Sequence, residues 1–447
     1  MIDFTLLSAV LIGIIILLVL ILYFKIQAFI ALLIASIGVG VLSGMSPLSI
    51  IKTIQEGMGN TLGFVAVVVG LGAMFGAILE HSGGAESLAK FLINKFGEKY
   101  ASWALMLTGF LVAIPVFFDV AFIILVPIIY ALQRKTGKSL LLYGIPLLAG
   151  LAITHSFIPP TPGPVAVADI IKVNLGWVIL MGFIVGIPTA IVCGPIFAKY
   201  IAKHIHIEAP KLKMDNNTLK TYPSVRLILS IIATPIVLII LNTLFNSPIG
   251  QNILPQKVAH WLTMIGHPFS ALIIANLIAW YALGILKGFS KEKLLDITTQ
   301  SMGPAGIIIL LTGAGGVFKQ MLVNTGTGTM LANYFSNAGI SILLFAFIAA
   351  ALVRILQGSA TVAMITAAGL TSPLITDASL SEPQKALIVI AIASGATIMS
   401  HVNDSGFWLV SKYLGLSEKQ TFKSWTVMTT ILALIGLAST FFLSLLI

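Results

Sequence analysis

The chain has 447 residues, 58% of them hydrophobic and only 9% charged, with a mean hydropathy of +1.06. That composition excludes an ordinary soluble domain, and its one cysteine, Cys193, excludes a disulfide framework or a thiolate metal cluster. The net charge of +10 lies in short loops between apolar runs, where it reports membrane orientation and not a nucleic-acid partner.

The first run, Leu6 to Phe24, is too long for a signal h-region and lacks a small-residue cleavage site, so it reads as a span near 4–24. Spans near 26–44 and 61–79 follow. The stretch 102–130 is broken in its middle by IPVFFDVAF, which sets Asp119 four residues after Pro115. Lys90, Lys95 and Lys99 precede it and Arg134, Lys135 and Lys138 follow, so it reads as a hairpin opening to the cytoplasm. A single tilted crossing is the competing reading.

The next span, 138–171, is interrupted by THSFIPPTPGP at 154–164. Four prolines and a glycine in eleven residues cannot continue a helix, so this is a broken helix at membrane depth. A span near 177–198 closes the first half, and 205–225, with Pro210, Asn216, Asn217 and Pro223, reads as a cytoplasmic linker. Spans near 226–246, 261–286 and 303–323 begin the second half. A second broken hairpin, 341–370, carries QGSATVA at its centre. The span 385–410 is interrupted by SHVNDSGF, and 424–446 ends the chain.

Charge supports this layout, because 19 of the 25 basic residues fall in loops assigned to the cytoplasm. The second hairpin is preceded by residues 324–340 with no Lys or Arg and opens outward. The halves also repeat. Gly70 to Phe91 aligns without gaps on Gly313 to Tyr334, with Gly70, Gly72, Phe75, Leu79, Gly83, Leu88 and Ala89 recurring as Gly313, Gly315, Phe318, Leu322, Gly326, Leu331 and Ala332. The expected fold is therefore all-α and polytopic. Two inverted-topology repeats, 1–204 and 226–447, each have about five spans with a re-entrant hairpin and a broken helix.

Polar groups inside the membrane are expensive and face cavities or partners. Breaks expose helix N-termini, which suit an anionic group on a small substrate. The candidate substrate-binding residues are Asp119, His155, Ser156, Thr161, Gly358, Ser359, Thr361, Asn403, Asp404 and Ser405, and Asp119, His155 and His401 are candidates for coupling to protons. Each has a bland alternative. Asp119 and Asp404 could cap helices, and the histidines could be bonded to buried carbonyls. Arg354 would attract a carboxylate, or simply pair with Asp404 or a carbonyl; Lys319 reads as an interfacial snorkeller. GAGG at 313–316 lacks a following Lys-Ser/Thr and is no P-loop.

NKFGEKYASWA (94–104), FFDVAFIILVPI (117–128), THSFIPPTPGPVAVA (154–168), QGSATVA (357–363) and SHVNDSGFWLV (400–410) together resemble the gluconate permease family of gluconate:proton symporters, over essentially the whole chain. Where many gluconate carriers have His and Glu, this chain has Thr161 and Asp119. The resemblance implies no enzyme, cofactor or metal. It implies inward transport of gluconate or a related hydroxy-acid anion across a bacterial inner membrane, driven by protons. Glycerate, 3-hydroxybutyrate and D-serine are alternative substrates, sodium an alternative ion, an anion channel a competing class, and a homodimer is compatible with the sequence.

Overall fold

The computed structural model describes residues 4–210, 222–246, 255–326, 341–376, 380–402 and 404–447. Among these, helices and turns make up the chain and no strand is found. Helices α1 (Phe4–Leu22) and α2 (Ala28–Leu42) lead to α3 (Pro47–His81), started by the Ser46 hydroxyl on Ser49 N and by Pro47 in the first turn. At 1.5 Å per residue its 35 residues extend about 52 Å, well past the 61–79 span expected from hydropathy. Its amphipathic start, with Lys52 and Glu56 exposed, is what hydropathy could not register.

Helix α4 (Gly84–Phe96) precedes α5 (Ala101–Val112) and α6 (Phe118–Thr136), the two arms of the first broken run. Next come α7 (Leu141–Phe157) and α8 (Pro162–Ile171), separated at the proline-rich break. Helix α9 (Leu175–Ile191) continues through a π-turn containing Pro195, which has no N–H to give, into α10 (Phe197–His204). After the linker stand α11 (Val225–Phe245), α12 (Gln256–Gly266), α13 (Pro268–Ala279), α14 (Lys291–Gln300) and α15 (Met302–Asn324). The run expected at 261–286 is thus two helices, parted where Pro268 starts a new one. The second broken run is α16 (Ile342–Gln357) and α17 (Ala360–Thr376), joined by Gly358 and Ser359. Helices α18 (Glu382–Thr397) and α19 (Ser405–Leu414) flank the second break, and α20 (Glu418–Thr421) and α21 (Val427–Ser444) end the chain. The offset that sets Gly70 on Gly313 also sets α8 on α19, end for end.

Seven helical stretches among the described residues are long and apolar enough to cross a membrane. In the most apolar 18 residues of Leu141–Ile171, 83% are buried inside the protein, whereas in those of Pro268–Lys287 33% are. A helix apolar all round is either central or faces lipid; the broken helix is central, and α13 faces lipid. Close packing rests on small residues. A methyl added at Gly57 on α3 would come 2.7 Å from Val317 Cα on α15, and one at Gly150 on α7 would come 2.2 Å from the Met106 carbonyl on α5. The matching contact in the second half is Gly395 on α18, 2.2 Å from the Phe347 carbonyl of α16.

The first six linker residues are pinned. Leu140 N donates to Ile207 O at 2.8 Å, Ser139 Oγ to Ile205 O at 2.8 Å, Ala209 N to Gln133 Oε1 at 3.1 Å and Arg134 to Pro210 O at 3.0 Å. Lys319 does not snorkel to the interface. Its Nζ donates to Ile170 O at 2.5 Å, capping the carbonyl end of α8.

Candidate functional site

Breaking four helices near one point leaves their ends to face one another, and a cavity of about 370 Å³ opens there. From the first half, α6 contributes Phe118 and Asp119 in its first turn, and α7 contributes His155 and Ser156 in its last. From the second half come Arg354, Gln357, Gly358, Ser359 and Thr361 around the α16–α17 joint, and Asp404 and Ser405 at the start of α19. Thr397, Trp425 and Thr429 close the wall. Helices α6, α17 and α19 all begin at this cavity, so three positive helix ends converge on it.

The joint is held by a chain of polar contacts. Gly358 takes φ +90, which a residue with a side chain rarely adopts, and its carbonyl accepts from Arg354 Nη1. Arg354 Nη2 donates to Asp404 Oδ2 at 2.5 Å, and Ser400 Oγ donates to the same oxygen. Trp425 Nε1 donates to Ser400 Oγ at 2.6 Å, and Gly406 N to Asp404 Oδ1 at 3.0 Å, which makes Asp404 the cap of α19. Of the two readings for Arg354, this is the bland one: it pairs with Asp404 and with a carbonyl.

Eight of the ten candidate binding residues line this one cavity: Asp119, His155, Ser156, Gly358, Ser359, Thr361, Asp404 and Ser405. Thr161 does not. It is buried at a crevice of about 10 Å³ beside Gly72 and Pro115, and its hydroxyl donates to Ile158 O at 2.6 Å, which leaves it bracing the break. Asn403 lies outside the described residues. His401 is not in the wall either; its Nε2 lies 2.8 Å from Ile355 O, the bonded-histidine alternative. His155 sits between the rings of Phe117 and Phe118, centroids 6.3 and 6.5 Å away, and its Nδ1 is buried with no hydrogen-bond partner among the described residues.

A second cavity of about 350 Å³ shares Phe118, Asp119, His155 and Thr361 with the first and reaches Pro304 and Ile308 on α15. A third, of about 180 Å³, shares Phe117, Val120 and Pro304 with the second and reaches Glu80 and His81 at the end of α3. Asp119 and His155 therefore stand in the wall between the main cavity and a route along α3. Sequence reasoning missed Gln357, Thr397, Trp425 and Thr429. Gln357 was within reach, one residue before a positive-φ glycine in a polar break. Trp425 in a last span looks like any interfacial aromatic.

Known proteins resemble this chain along nearly its whole length. The model of the GntP family permeases matches residues 5–446. A gluconate permease of Pseudomonas aeruginosa is 41% identical over 99% of this chain and 98% of its own. The low-affinity gluconate transporter of Escherichia coli is 40% identical over 95% of each chain. The fold is similar to that of the Neisseria gonorrhoeae transporter MtrF, described as one of a class of antimetabolite efflux pumps, with a TM-score of 0.65 at 15% identity over 97% of this chain and 94% of that one. A match along nearly the whole length, on a chain whose broken helices enclose a polar cavity, leaves one assignment: this multi-pass transporter belongs to the GntP permease family.

Proposed function

We propose that the chain imports gluconate, or a hydroxy-acid anion close to it, across the bacterial inner membrane together with protons. The observation that carries this reading is the composition of the main cavity. Its volume falls within the ~300–1,000 Å³ usual for small-ligand sites. One arginine and three helix N-termini suit a carboxylate, while Ser156, Gln357, Ser359, Thr361, Thr397 and Ser405 offer donors and acceptors to a polyhydroxylated tail. Relatives named for gluconate supply the substrate. Because Thr161 lies outside the cavity wall, the departure at that position weighs little against gluconate.

Two breaks and two hairpin joints at one cavity, with α8 and α19 matching in length and offset, support alternating access between inverted repeats at 1–204 and 226–447. The coupling proton is taken by an ionisable group in the cavity wall, and the route past Asp119 and His155 toward Glu80 serves release to the cytoplasm. Uptake of labelled gluconate, glycerate, 3-hydroxybutyrate and D-serine into proteoliposomes, with imposed pH or sodium gradients, tests the reading. Gluconate accumulation driven by an inward proton gradient is expected. Accumulation driven only by sodium, or flux without accumulation, overturns it.

A further inference from the structure

Of the ion pairs among the described residues, Arg354–Asp404 is the most deeply buried, with side chains 6% and 13% exposed, and both partners line the main cavity. Asp404 receives three donors: Arg354 Nη2 and Ser400 Oγ on one oxygen and Gly406 N on the other. Arg354 also holds the Gly358 carbonyl, and its Nε is buried with no partner among the described residues. An incoming carboxylate therefore meets a cation that is already neutralised. It can take Arg354 only if Asp404 releases it, and releasing it as an anion would leave an unpaired charge in a poorly solvated site.

We propose that Asp404 is the carboxylate that couples protons to transport, by exchange of partners on Arg354. A proton from outside binds Asp404 at Oδ2. Arg354 then turns Nη2 and its unused Nε to the substrate carboxylate. Empty, the pair is one anion and one cation; loaded, it is a neutral acid, one cation and one bound anion, so the net charge is the same in both states. When the substrate leaves, Arg354 returns to Asp404, which gives its proton to the cytoplasm. The other titratable groups facing this pair are Asp119 on α6 and His155 on α7, and His401 is turned to the Ile355 carbonyl. Asp119 lines the same cavity but makes no hydrogen bond or ion pair with Arg354 among the described residues, so Asp404 is the carboxylate that a substrate must displace.

This inference rests on the importer reading above, and proton counting separates the two. Purified protein in weak buffer with a pH indicator is titrated with gluconate. Wild type is expected to take up about one proton per gluconate bound. Asp119→Asn, whatever its affinity, still takes one up. Asp404→Asn keeps the helix cap, binds gluconate with an affinity that no longer changes with pH, takes up no proton, and exchanges substrate without accumulating it. Ser400→Ala, which removes one donor to the Asp404 anion, moves the pH of half-maximal binding upward by roughly half a unit to one unit. Proton uptake persisting in Asp404→Asn overturns the proposal, as does a folded Asp404→Asn that binds no gluconate at any pH. If Asp404→Asn does not fold, an unmoved midpoint in Ser400→Ala overturns it. Wild type that neither binds nor accumulates any acid of the panel sinks the importer reading instead.

Discussion

Gly150 on α7 tests whether the site depends on how closely the hairpin arm and the broken helix approach. A methyl there would lie 2.2 Å from the Met106 carbonyl oxygen and 2.6 Å from Phe110 N, where real contacts stay beyond 3.0 Å. Gly150→Ala must therefore part α5 and α7 by about 0.8 Å, the gap between 2.2 and 3.0 Å. Both obstructing atoms are backbone, so no side chain can swing aside. Overpacking of this kind costs about 1–3 kcal/mol. The parting also stretches the bond from Thr154 Oγ1 to Phe110 O, now 2.9 Å, one residue before His155. Since His155 and Ser156 ride on α7, gluconate affinity should fall tenfold or so, equivalent to ~1.4 kcal/mol. The assay is a thermal melt of purified protein with a gluconate binding isotherm. Gly63→Ala on α3, where nothing lies within 4 Å, is the control and should match wild type or gain slightly. Unchanged melting and binding in Gly150→Ala would refute the claim that this contact sets the site's geometry.

Three further outcomes can be checked. Thr161→Val should lose about 1 kcal/mol of stability with the Ile158 bond, yet keep the wild-type substrate profile across the uptake panel; an altered profile would bring Thr161 back into the site. Trp425→Phe keeps a ring tilted against Phe118 but removes the donor to Ser400, so gluconate affinity should drop several-fold, by isothermal titration, with little change in melting temperature. In a Cys193→Ser background, single cysteines at Glu208 and Lys172, both exposed, should react with an impermeant maleimide from opposite sides of the membrane. Labelling from the same side would end the proposed topology.

Much of the site was legible because prolines and buried charges leave strong marks in an apolar sequence. Pro159, Pro160, Pro162 and Pro164 can only mean a break, and Asp119, Arg354 and Asp404 are too costly in a membrane to lack a purpose. Direction was not legible. Nothing in PPTPGP says which way Thr161 faces, and its hydroxyl turned to the Ile158 carbonyl three residues back, the local bond a threonine in a turn offers. His401 likewise took a local carbonyl. Gly150 and Gly395, which let helix backbones approach closely, are two glycines among 40 and carry no pattern of their own. Trp425 and Thr429 enter the wall from a helix that hydropathy reads as an ordinary span.

The pinned residues 205–210 bear on how the chain can be assembled from pieces. Among the described residues, the groups that hydrogen-bond across to them, on Gln133, Arg134, Ser139 and Leu140, precede them in the chain. During synthesis those contacts can close as soon as residue 210 clears the ribosome, before any of α11 exists. A first fragment ending at 204 would leave the Ser139 hydroxyl, the Leu140 N–H and the Gln133 amide without their acceptors and donor. One ending between 211 and 221 keeps all of them. Two separately expressed halves should therefore recombine into a working carrier more readily when the cut falls after residue 210 than when it falls before 205, where these contacts must form between fragments.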